Sequence, residues 1–235
     1  MRDPVPKLHG LSIFFPAYYD ENTIEPLVRK AIEVGRKLAH DLEVIIVDDK
    51  SPDRTGEIAD RLSAEFREVK VVHHPVNRGV GQAMISGWRT ATKEYVFYTD
   101  GDAQYDLGEL ESLAAHAGSF DAVVGYRMKR AEGWTRVFTN RCFHLLLFLF
   151  FGIHFRDTDC SFKLLRRRFL DRITFYTGGG LVDAEILIQA RKFGVPVKEV
   201  GVRHYPRRFG SSRCLRPGLV FSMLRDLVRL RFMLR

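Results

Sequence analysis

The stretch YVFYTDGDAQYD, residues 95–106, joins a dense β-forming run to a group of closely spaced carboxylates. A second stretch, EVIIVDD at residues 43–49, has the same form, because its apolar run also ends in acids. Ligands of open α/β sheets bind beyond the carboxyl ends of parallel strands. The two stretches therefore predict one crevice around four side chains, those of Asp48, Asp49, Asp100 and Asp102.

Around these two runs, strand patterns alternate with helix patterns. Predicted strands are residues 11–17, 43–49, 70–74, 95–99, 121–127 and 197–202. Predicted helices are residues 25–38, 56–66, 107–117 and 183–193, and residues 77–91 are predicted to be a Gly-rich turn that opens a further helix. This alternation predicts βαβ units, and the continuously apolar strands predict helices on both faces. The fold class is therefore α/β, with a mostly parallel central sheet flanked by helices. Residues 214–235 are predicted to add a basic amphipathic helix.

Length and composition suit one globular domain with an anionic partner. The chain has 235 residues, of which 46% are hydrophobic and 28% charged, and a net charge of +8. Nucleic acid, an anionic membrane and a phosphorylated substrate all fit that charge. Aromatic and basic residues do not interleave as they do on a nucleic-acid stacking platform, so a nucleic-acid partner is disfavoured. The three cysteines, Cys142, Cys160 and Cys214, lack metal-clip spacing and predict free thiols in a reducing cytoplasm.

The acids at residues 100–106 predict a divalent metal site. Carboxylates at such a short separation repel one another unless a cation or hydrogen-bond donors stabilise them. Carboxylate oxygens are hard ligands, which suit Mg²⁺ or Mn²⁺. Asp100 and Asp102 face the same way in an extended chain, and Gln104 adds a neutral oxygen. The alternative is that Asp and Gly are simply common in turns. Two such turns in the same half of the chain favour the metal.

Several segments, in this order and spacing, resemble those of inverting family 2 glycosyltransferases with a GT-A fold. They are FPAYYDE (15–21), VDDKSPDRT (47–55), NRGVGQAMISG (77–87), DGDAQYD (100–106), RDTDCSFKLLRR (156–167) and HYPRRFGSSR (204–213). Within that family the chain looks most like the dolichol-phosphate mannose synthase and polyprenyl-phosphate hexosyltransferase branch. The resemblance implies a GT-A domain at 1–213, with a nucleotide-sugar half at about 1–125 and an acceptor half at about 126–213.

The resemblance also implies residue roles on the donor side. The residues expected to bind the nucleotide sugar are Pro16, Ala17, Tyr18, Asp20, Asp48, Asp49, Gly79, Asp100 and Asp102. The residues expected to bind the metal, Mg²⁺ or Mn²⁺, are Asp100, Asp102 and Gln104. One departure lies in the first of these segments, because the family usually has Asn where Tyr19 stands.

The implied reaction moves a hexose from a nucleoside diphosphate to a polyprenyl or dolichyl phosphate, with inversion. GDP-mannose and UDP-glucose are the leading donors. The metal neutralises the leaving diphosphate, and a phosphate acceptor needs charge compensation more than it needs a base. The expected phosphate-binding residues are Arg127, Arg136, Asn140 and Arg208, with Lys163 as a weaker addition, and the expected catalytic residues are Asp102, Arg208 and Glu185.

The other acids of the acceptor half leave alternatives open. Asp183 is expected to face a helix N-terminus, where acids are favourable, whereas Glu185 is expected to lie near the acceptor. Asp157 and Asp159 fit either a structured loop or contact with the sugar. A saccharide or protein hydroxyl as acceptor remains an alternative, in which Glu185 would be the base. A nucleotidyltransferase is disfavoured because FPAYYDE is not a Gly-rich basic loop.

Two segments are candidates for membrane contact. The apolar run at 142–155 is too short to span a bilayer and fits either a core helix or an interfacial helix. The tail sets arginines among Leu, Phe and Met, which predicts a surface helix drawn to anionic lipid; these arginines are Arg225, Arg229, Arg231 and Arg235. We expect a peripheral protein on the cytoplasmic face of the membrane, with an anchoring partner or a second copy as further candidate contacts.

Overall fold

The structure, a computed structural model, describes residues 6–128, 134–206 and 217–234, and only the backbone of residues 134–140 and 217–222 within them. The strands are β1 (Leu8–Ala17), β2 (Ala39–Asp48), β3 (Val69–His73), β4 (Tyr95–Thr99), β5 (Ala122–Arg127), β6 (Phe162–Arg166) and β7 (Val197–Val202). The helices are α1 (Ile24–Leu38), α2 (Thr55–Glu65), α3 (Val80–Thr90), α4 (Leu110–Ala114), α5 (Trp134–Phe151), α6 (Arg167–Leu170), α7 (Val182–Lys192) and α8 (Pro217–Met233). A 3₁₀ turn, Leu107–Glu109, precedes α4.

The strands form one sheet in the order β3-β2-β1-β4-β6-β5-β7. β1 pairs parallel with both β2 and β4, and β5 pairs parallel with β7. β6 pairs antiparallel with β4 and β5, so it is the reversed strand of this sheet. The predicted α/β class and mostly parallel sheet are confirmed. The carboxyl ends of the other strands therefore share one edge, together with the loop that enters β6.

Alternate residues of β1 enter two different cores, because side chains of a strand point to opposite faces. Ile13 and Phe15 join the core under α1, and Phe14 joins the core under α3. The helix α3 approaches Phe14 closely, since a Cβ on Gly87 would lie 2.1 Å from that ring. Helices thus cover both faces, as the continuously apolar strands predicted.

A third core joins α5, α7 and α8. It contains Leu147 of α5, Ile188 of α7, and Leu227 and Leu230 of α8. The predicted C-terminal helix is thus present and packs by one side on the domain. None of the helices in the described ranges is long and apolar enough to cross a bilayer. Cys142 and Cys160 are free thiols; the remaining predictions for Cys214 and Arg235 fall outside the described residues.

Candidate active site

The crevice expected from the sequence lies where β1 separates β2 from β4. The chain leaves β1 toward β2 on one side and reaches β4 on the other, which makes this edge a topological switch point. The loops after β1 and β4 are in direct contact. Thr23 Oγ1 donates to the Gly101 carbonyl at 2.8 Å. A Cβ on Gly101 would lie 2.8 Å from Asp20 Oδ2, so this close approach requires glycine.

Backbone strain is concentrated at the same edge. Among the described residues, the non-glycine positions with positive φ are Tyr19 at 62°, Lys50 at 58° and Ala103 at 56°. They lie in the loops that follow β1, β2 and β4. Each such conformation costs about 1–2 kcal/mol, and strain of this kind clusters at functional sites. Three neighbouring loops with the same feature identify this edge as the candidate site.

The loop after β4 holds two carboxylates in defined orientations. Tyr98 Oη donates to Asp100 Oδ1 at 3.0 Å, and the Gln104 amide donates to Asp102 Oδ1 at 3.1 Å. Ala103, whose backbone is in the left-handed region, turns the chain between Asp102 and Gln104. Gln104 Nε2 donates to the Tyr205 carbonyl at 2.8 Å, and the Tyr205 amide donates to the Gln104 carbonyl at the same distance. Gln104 therefore ties this loop to the segment after β7.

The two carboxylates of this loop, Asp100 and Asp102, fit a hard divalent cation whose coordination is completed by oxygens of a substrate phosphate. In the part of the chain that the structure describes, no three His, Cys, Asp or Glu residues are grouped so that they could hold one metal ion. Mg²⁺ in phosphate-transferring sites is usually held by one or two carboxylates, waters and substrate oxygens. Asp100 and Asp102 supply that number. No hydrogen bond within the described residues reaches Oδ2 of Asp100, which leaves that oxygen for a ligand.

The two acids after β2 have different roles. Asp49 is buried; its Oδ1 accepts from the Arg78 amide at 2.8 Å, and its Oδ2 accepts from the Gly79 amide at 2.7 Å. It therefore shapes the turn that opens α3. Asp48 Oδ1 accepts from the Ser51 amide at 2.9 Å, and its Oδ2 bonds His73 Nδ1 at 2.9 Å. The hydrogen bonds of His73 to Asp60 and then Asp48 raise the pKa of His73.

Asp53 links the loops after β1 and β2, a role that the sequence interpretation missed. Its carboxylate accepts from Ser51 Oγ and Thr55 Oγ1, both at 2.6 Å, and from the Glu21 amide at 3.3 Å. Burial opposes ionisation, but hydrogen bonds from Ser51 and Thr55 lower the pKa of Asp53. The spacing Ser-x-Asp-x-Thr, typical of side-chain-capped turns, was the available signal.

The remaining residues that were predicted to bind the donor lie in or beside β1. Pro16 and Ala17 are its last residues, and the Asp49 amide donates to the Ala17 carbonyl at 3.1 Å. Asp20 Oδ2 accepts from the Tyr18 amide at 2.9 Å. The structure thus brings the predicted donor-side residues to one edge; they are Pro16, Ala17, Tyr18, Asp20, Asp48, Asp49, Gly79, Asp100, Asp102 and Gln104.

Arg127 lies at the carboxyl end of β5 and forms a bidentate ion pair with Asp157. Its Nε donates to Asp157 Oδ2 at 2.7 Å and its Nη2 to Oδ1 at 2.9 Å. Burial lowers the pKa of Arg127, but the bidentate bond to Asp157 outweighs it and the pKa is raised. The pair fixes the loop before β6 on β5, which favours a structural role for Asp157. Arg127 also interacts electrostatically with Tyr105, in the loop after β4.

Lys163 and Asp183 form a buried ion pair beneath this edge. Lys163 is 0% exposed, and its Nζ also donates to the Cys160 carbonyl at 2.5 Å. The weaker expectation that Lys163 contacts the acceptor phosphate is therefore not met, because its ammonium is engaged internally. Burial raises the pKa of Asp183 to about 6 against the opposing effect of Lys163. Because it pairs with Lys163, Asp183 does more than face the N-terminus of α7.

Glu185 is fully buried in α7. Its Oε1 accepts from the Tyr176 amide at 2.7 Å, and its Oε2 accepts from Thr177 Oγ1 at 2.6 Å. Burial raises the pKa of Glu185 against these hydrogen bonds. This geometry fits an anchor for the loop before α7 better than a catalytic group.

Three further acceptor candidates cannot be placed by their contacts. Arg208 lies outside the described residues. Arg136 and Asn140 belong to the part of α5 whose backbone alone is described. They share one helix and are one turn apart, as the sequence predicted. Their roles stay predictions.

A family model described as glycosyl transferase family 2 matches residues 12–174. The chain is 30% identical to glycosyltransferase AglD of Haloferax volcanii, over 84% of the chain and 33% of that protein. It is 28% identical to an undecaprenyl-phosphate 4-deoxy-4-formamido-L-arabinose transferase of Pseudomonas fluorescens, over 93% of the chain and 64% of that protein. A dodecaprenyl-phosphate galacturonate synthase of Rhizobium johnstonii is also 28% identical. The chain thus spans one third of the first relative and under two thirds of the second.

A solved structure shows the same fold. The chain aligns with glucosyl-3-phosphoglycerate synthase from Mycobacterium tuberculosis, crystallised with Mn²⁺, UDP and glucosyl-3-phosphoglycerate, with a TM-score of 0.72 and 18% identity. The alignment covers 96% of this chain and 80% of that one. It confirms the glycosyltransferase fold predicted from the sequence. By the extent of the family match and the identity to its relatives, the chain belongs to glycosyl transferase family 2.

Proposed function

We propose that this chain transfers a hexose from a nucleoside-diphosphate sugar to a polyprenyl phosphate, with inversion. The observation that carries the proposal is the meeting of Asp100 and Asp102 with the loops after β1 and β2 at one edge of the sheet. The names of two relatives, which specify polyprenyl-phosphate sugar transfer, support the acceptor class. GDP-mannose and UDP-glucose are the donors we would test first.

On the donor side, Asp100 and Asp102 would hold Mg²⁺ or Mn²⁺ together with the donor diphosphate. The metal supplies charge neutralisation for the leaving nucleoside diphosphate. The protein's part is orientation: Tyr98 fixes Asp100, and the Gln104 amide fixes Asp102. A carboxylate that is already oriented loses little freedom when the complex forms. The loops after β1 and β2, joined through Asp53, would receive the nucleoside.

On the acceptor side, a phosphate monoester attacks without a base because it is already anionic near neutral pH. It needs cations that hold its oxygens. Arg127 ends β5 at the same edge as the loop after β4, but Asp157 already holds its guanidinium through two hydrogen bonds, so phosphate binding at Arg127 would require sharing that guanidinium with Asp157. Arg136, Asn140 and Arg208 complete the proposed phosphate site, with Arg208 as the arginine that acts in transfer.

The outer sides of α5 and α8 support contact with a membrane. The exposed α8 stripe, defined as Leu224, Val228 and Phe232, recurs every four residues and therefore lies along one side of the helix. Arg225 and Arg229 are exposed beside it. On α5, Leu145, Phe148 and Leu149 are also exposed. Apolar side chains flanked by arginines suit an anionic lipid interface.

We therefore place the protein peripherally on the cytoplasmic face of the membrane. The free thiols of Cys142 and Cys160 are consistent with a reducing compartment. The third core attaches both helices to the domain, so lipid contact would bring the acceptor close to the site. A membrane-anchoring partner or a second copy could share this surface.

The test compares two acceptors of equal chain length. Purified protein with Mn²⁺ and a sugar nucleotide is given a polyprenyl phosphate or the corresponding polyprenol. We expect the protein to release nucleoside diphosphate when the acceptor is the polyprenyl phosphate. With the polyprenol as acceptor, we expect no release above background. Release that depends on the alcohol, or on an added saccharide, would overturn the lipid-phosphate proposal in favour of a hydroxyl acceptor.

A further inference from the structure

His73, the last residue of β3, bridges two carboxylates that belong to different elements. Its Nδ1 lies 2.9 Å from Asp48 Oδ2 of β2, and its Nε2 lies 2.9 Å from Asp60 Oδ1 of α2. The helix approaches this bridge closely, since a Cβ on Gly56 would lie 3.0 Å from Asp48 Oδ2. An ionised carboxylate accepts hydrogen bonds but does not donate them, so both ring nitrogens must donate. The bridge therefore requires the imidazolium form of His73.

The charges around the ring favour this form. The side chain of His73 is 44% exposed, and the carboxylates that face it are those of Asp48 from β2 and Asp60 from α2. Glu57, three residues before Asp60 on the same helix, pairs with Arg54 at 3.5 Å. Hydrogen bonds to Asp60 and then Asp48 raise the pKa of His73 against the opposing effect of burial. The ring therefore keeps its proton to a higher pH than an ordinary histidine, whose pKa is about 6.5.

The bridge reaches the loop after β2 through Asp48. This residue is 5% exposed, and its other carboxylate oxygen, Oδ1, accepts from the Ser51 amide at 2.9 Å. Ser51 Oγ accepts from the Tyr19 amide at 2.8 Å and donates to Asp53 Oδ1 at 2.6 Å. A single chain of hydrogen bonds thus runs from α2 and β3 to the contact between the loops after β1 and β2. Loss of the bond between His73 and Asp48 would release the carboxylate that orients Ser51.

We propose that His73, as an imidazolium, is a positioning residue that fixes the loop after β2 in the arrangement to which the nucleoside-diphosphate sugar binds. The inference rests on the proposed function and deepens it, because it names a residue that acts on the donor site through Asp48. A neutral ring has one N–H and can donate to one carboxylate only. Donor affinity should therefore be full while the ring is charged, and should fall as pH rises through the pKa of His73, which is raised above 6.5.

The experiment measures binding of UDP-glucose and GDP-mannose by calorimetry with Mg²⁺, between about pH 5.5 and pH 8.5, where neither His⁺ nor its raised pKa is outside the range. Three proteins are compared: wild type, His73→Gln and His73→Arg. We expect the wild type to lose about tenfold in affinity across this range, which is the effect of one lost hydrogen bond to a charged group. His73→Gln should bind weakly at every pH. His73→Arg should keep the low-pH affinity throughout, because its planar guanidinium stays charged and can donate to both carboxylates.

Two further variants and one spectroscopic measurement complete the test. Asp60→Asn removes the largest cause of the raised pKa, so the fall in affinity should move to lower pH. His40→Gln, at an exposed position near the opposite end of β2, is the control and should keep the wild-type profile. The ¹⁵N shifts of the His73 ring report its protonation directly.

A His73 ring that is neutral at pH 6 would overturn the inference and leave the proposed function intact. The same conclusion would follow if His73→Arg fell with pH as the wild type does, or bound as weakly as His73→Gln. A wild type that binds neither sugar nucleotide at any pH would instead contradict the proposed function, and this inference with it.

Discussion

Lys163 of β6 and Asp183 of α7 form an ion pair in the floor of the candidate site. Lys163 lies directly opposite Tyr98 in the antiparallel pairing of β6 with β4, so both side chains project to the same face. Tyr98 in turn donates to Asp100. The buried pair therefore lies beside the support of a proposed metal ligand, which connects the stability of the fold to the geometry of the site.

Removing one member of this pair should destabilise the fold strongly. Lys163→Met leaves the Asp183 carboxylate buried without its cation, and such changes cost about 3–5 kcal/mol. Urea unfolding of Lys163→Met should show this loss. The double variant Lys163→Met, Asp183→Asn should lose less than the sum of the single changes, because no uncompensated charge remains. Lys37→Met, which removes an exposed partner of Glu33, is the matched control and should change stability by about 1 kcal/mol or less. Strictly additive losses would contradict the pairing.

Asp102→Asn should reduce turnover by about 100-fold or more, because a metal-ligating oxygen and its charge are lost. Asp106→Asn is the matched control in the same loop. Asp106 accepts a hydrogen bond from the Gly108 amide at 2.9 Å, and Asn can make the same bond. Initial rates over a Mn²⁺ titration should fall only for Asp102→Asn. Equal losses in both variants would remove the distinction on which the metal assignment depends.

Glu43 should contribute stability that is lost in acid. It is 2% exposed; burial raises its pKa, but hydrogen bonds from Lys70, Ser12 and Thr92 outweigh that effect and lower the pKa to about 2. A carboxyl whose folded pKa is depressed stabilises the protein above its unfolded pKa, near 4.5, and this contribution disappears as pH falls to about 2. The contribution is about 3 kcal/mol.

The measurement is the free energy of unfolding in urea between pH 6 and pH 2. Glu43→Gln should flatten the fall between about pH 4.5 and pH 2, since the amide does not titrate there. Glu57→Gln, whose side chain is 77% exposed, serves as the control and should leave the profile unchanged. A Glu43→Gln profile parallel to that of the wild type would show that Glu43 does not titrate in this range.

The exposed α8 stripe should govern binding to anionic vesicles. Replacing Leu224, Val228 and Phe232 together with Ser removes about 2–3 kcal/mol of apolar contact with lipid for each fully inserted residue, and should reduce co-sedimentation with vesicles at least tenfold. Tm should not fall, because these side chains face outward. Val76→Ser, at a 61% exposed position elsewhere on the surface, is the control. Unchanged sedimentation of the triple variant would indicate that the stripe packs on protein.

The first 100 or so residues were the most predictable part of the chain, because their strands are short, apolar and separated by regular helices. Predicted β4, at residues 95–99, matches the structure at both ends, whereas β6 was missed. Its buried Lys163 and the arginines that follow interrupt the apolar pattern that marks a strand. The partner of that lysine, Asp183, is 20 positions away, so the pairing is visible only after folding.

The acids show the same limit. Sequence spacing placed Asp49 and Asp100 at one edge, but it did not distinguish an acid that shapes a loop from one that faces a ligand. The Asp49 carboxylate accepts hydrogen bonds from the backbone amides of Arg78 and Gly79. The Glu185 carboxylate accepts them from the backbone amides of residues 176 and 177. These bonds depend on the close approach of separate segments, which periodicity does not report.

The most direct test of the central claim is transfer of label into lipid. Protein, Mn²⁺ and a short polyprenyl phosphate are mixed with each labelled sugar nucleotide in turn, and organic extraction recovers the product. We predict label in the organic phase from one donor, at a rate that Asp102→Asn lowers by about 100-fold. No label from any donor, in protein that still binds nucleoside diphosphate, would contradict the claim that polyprenyl phosphate is the acceptor.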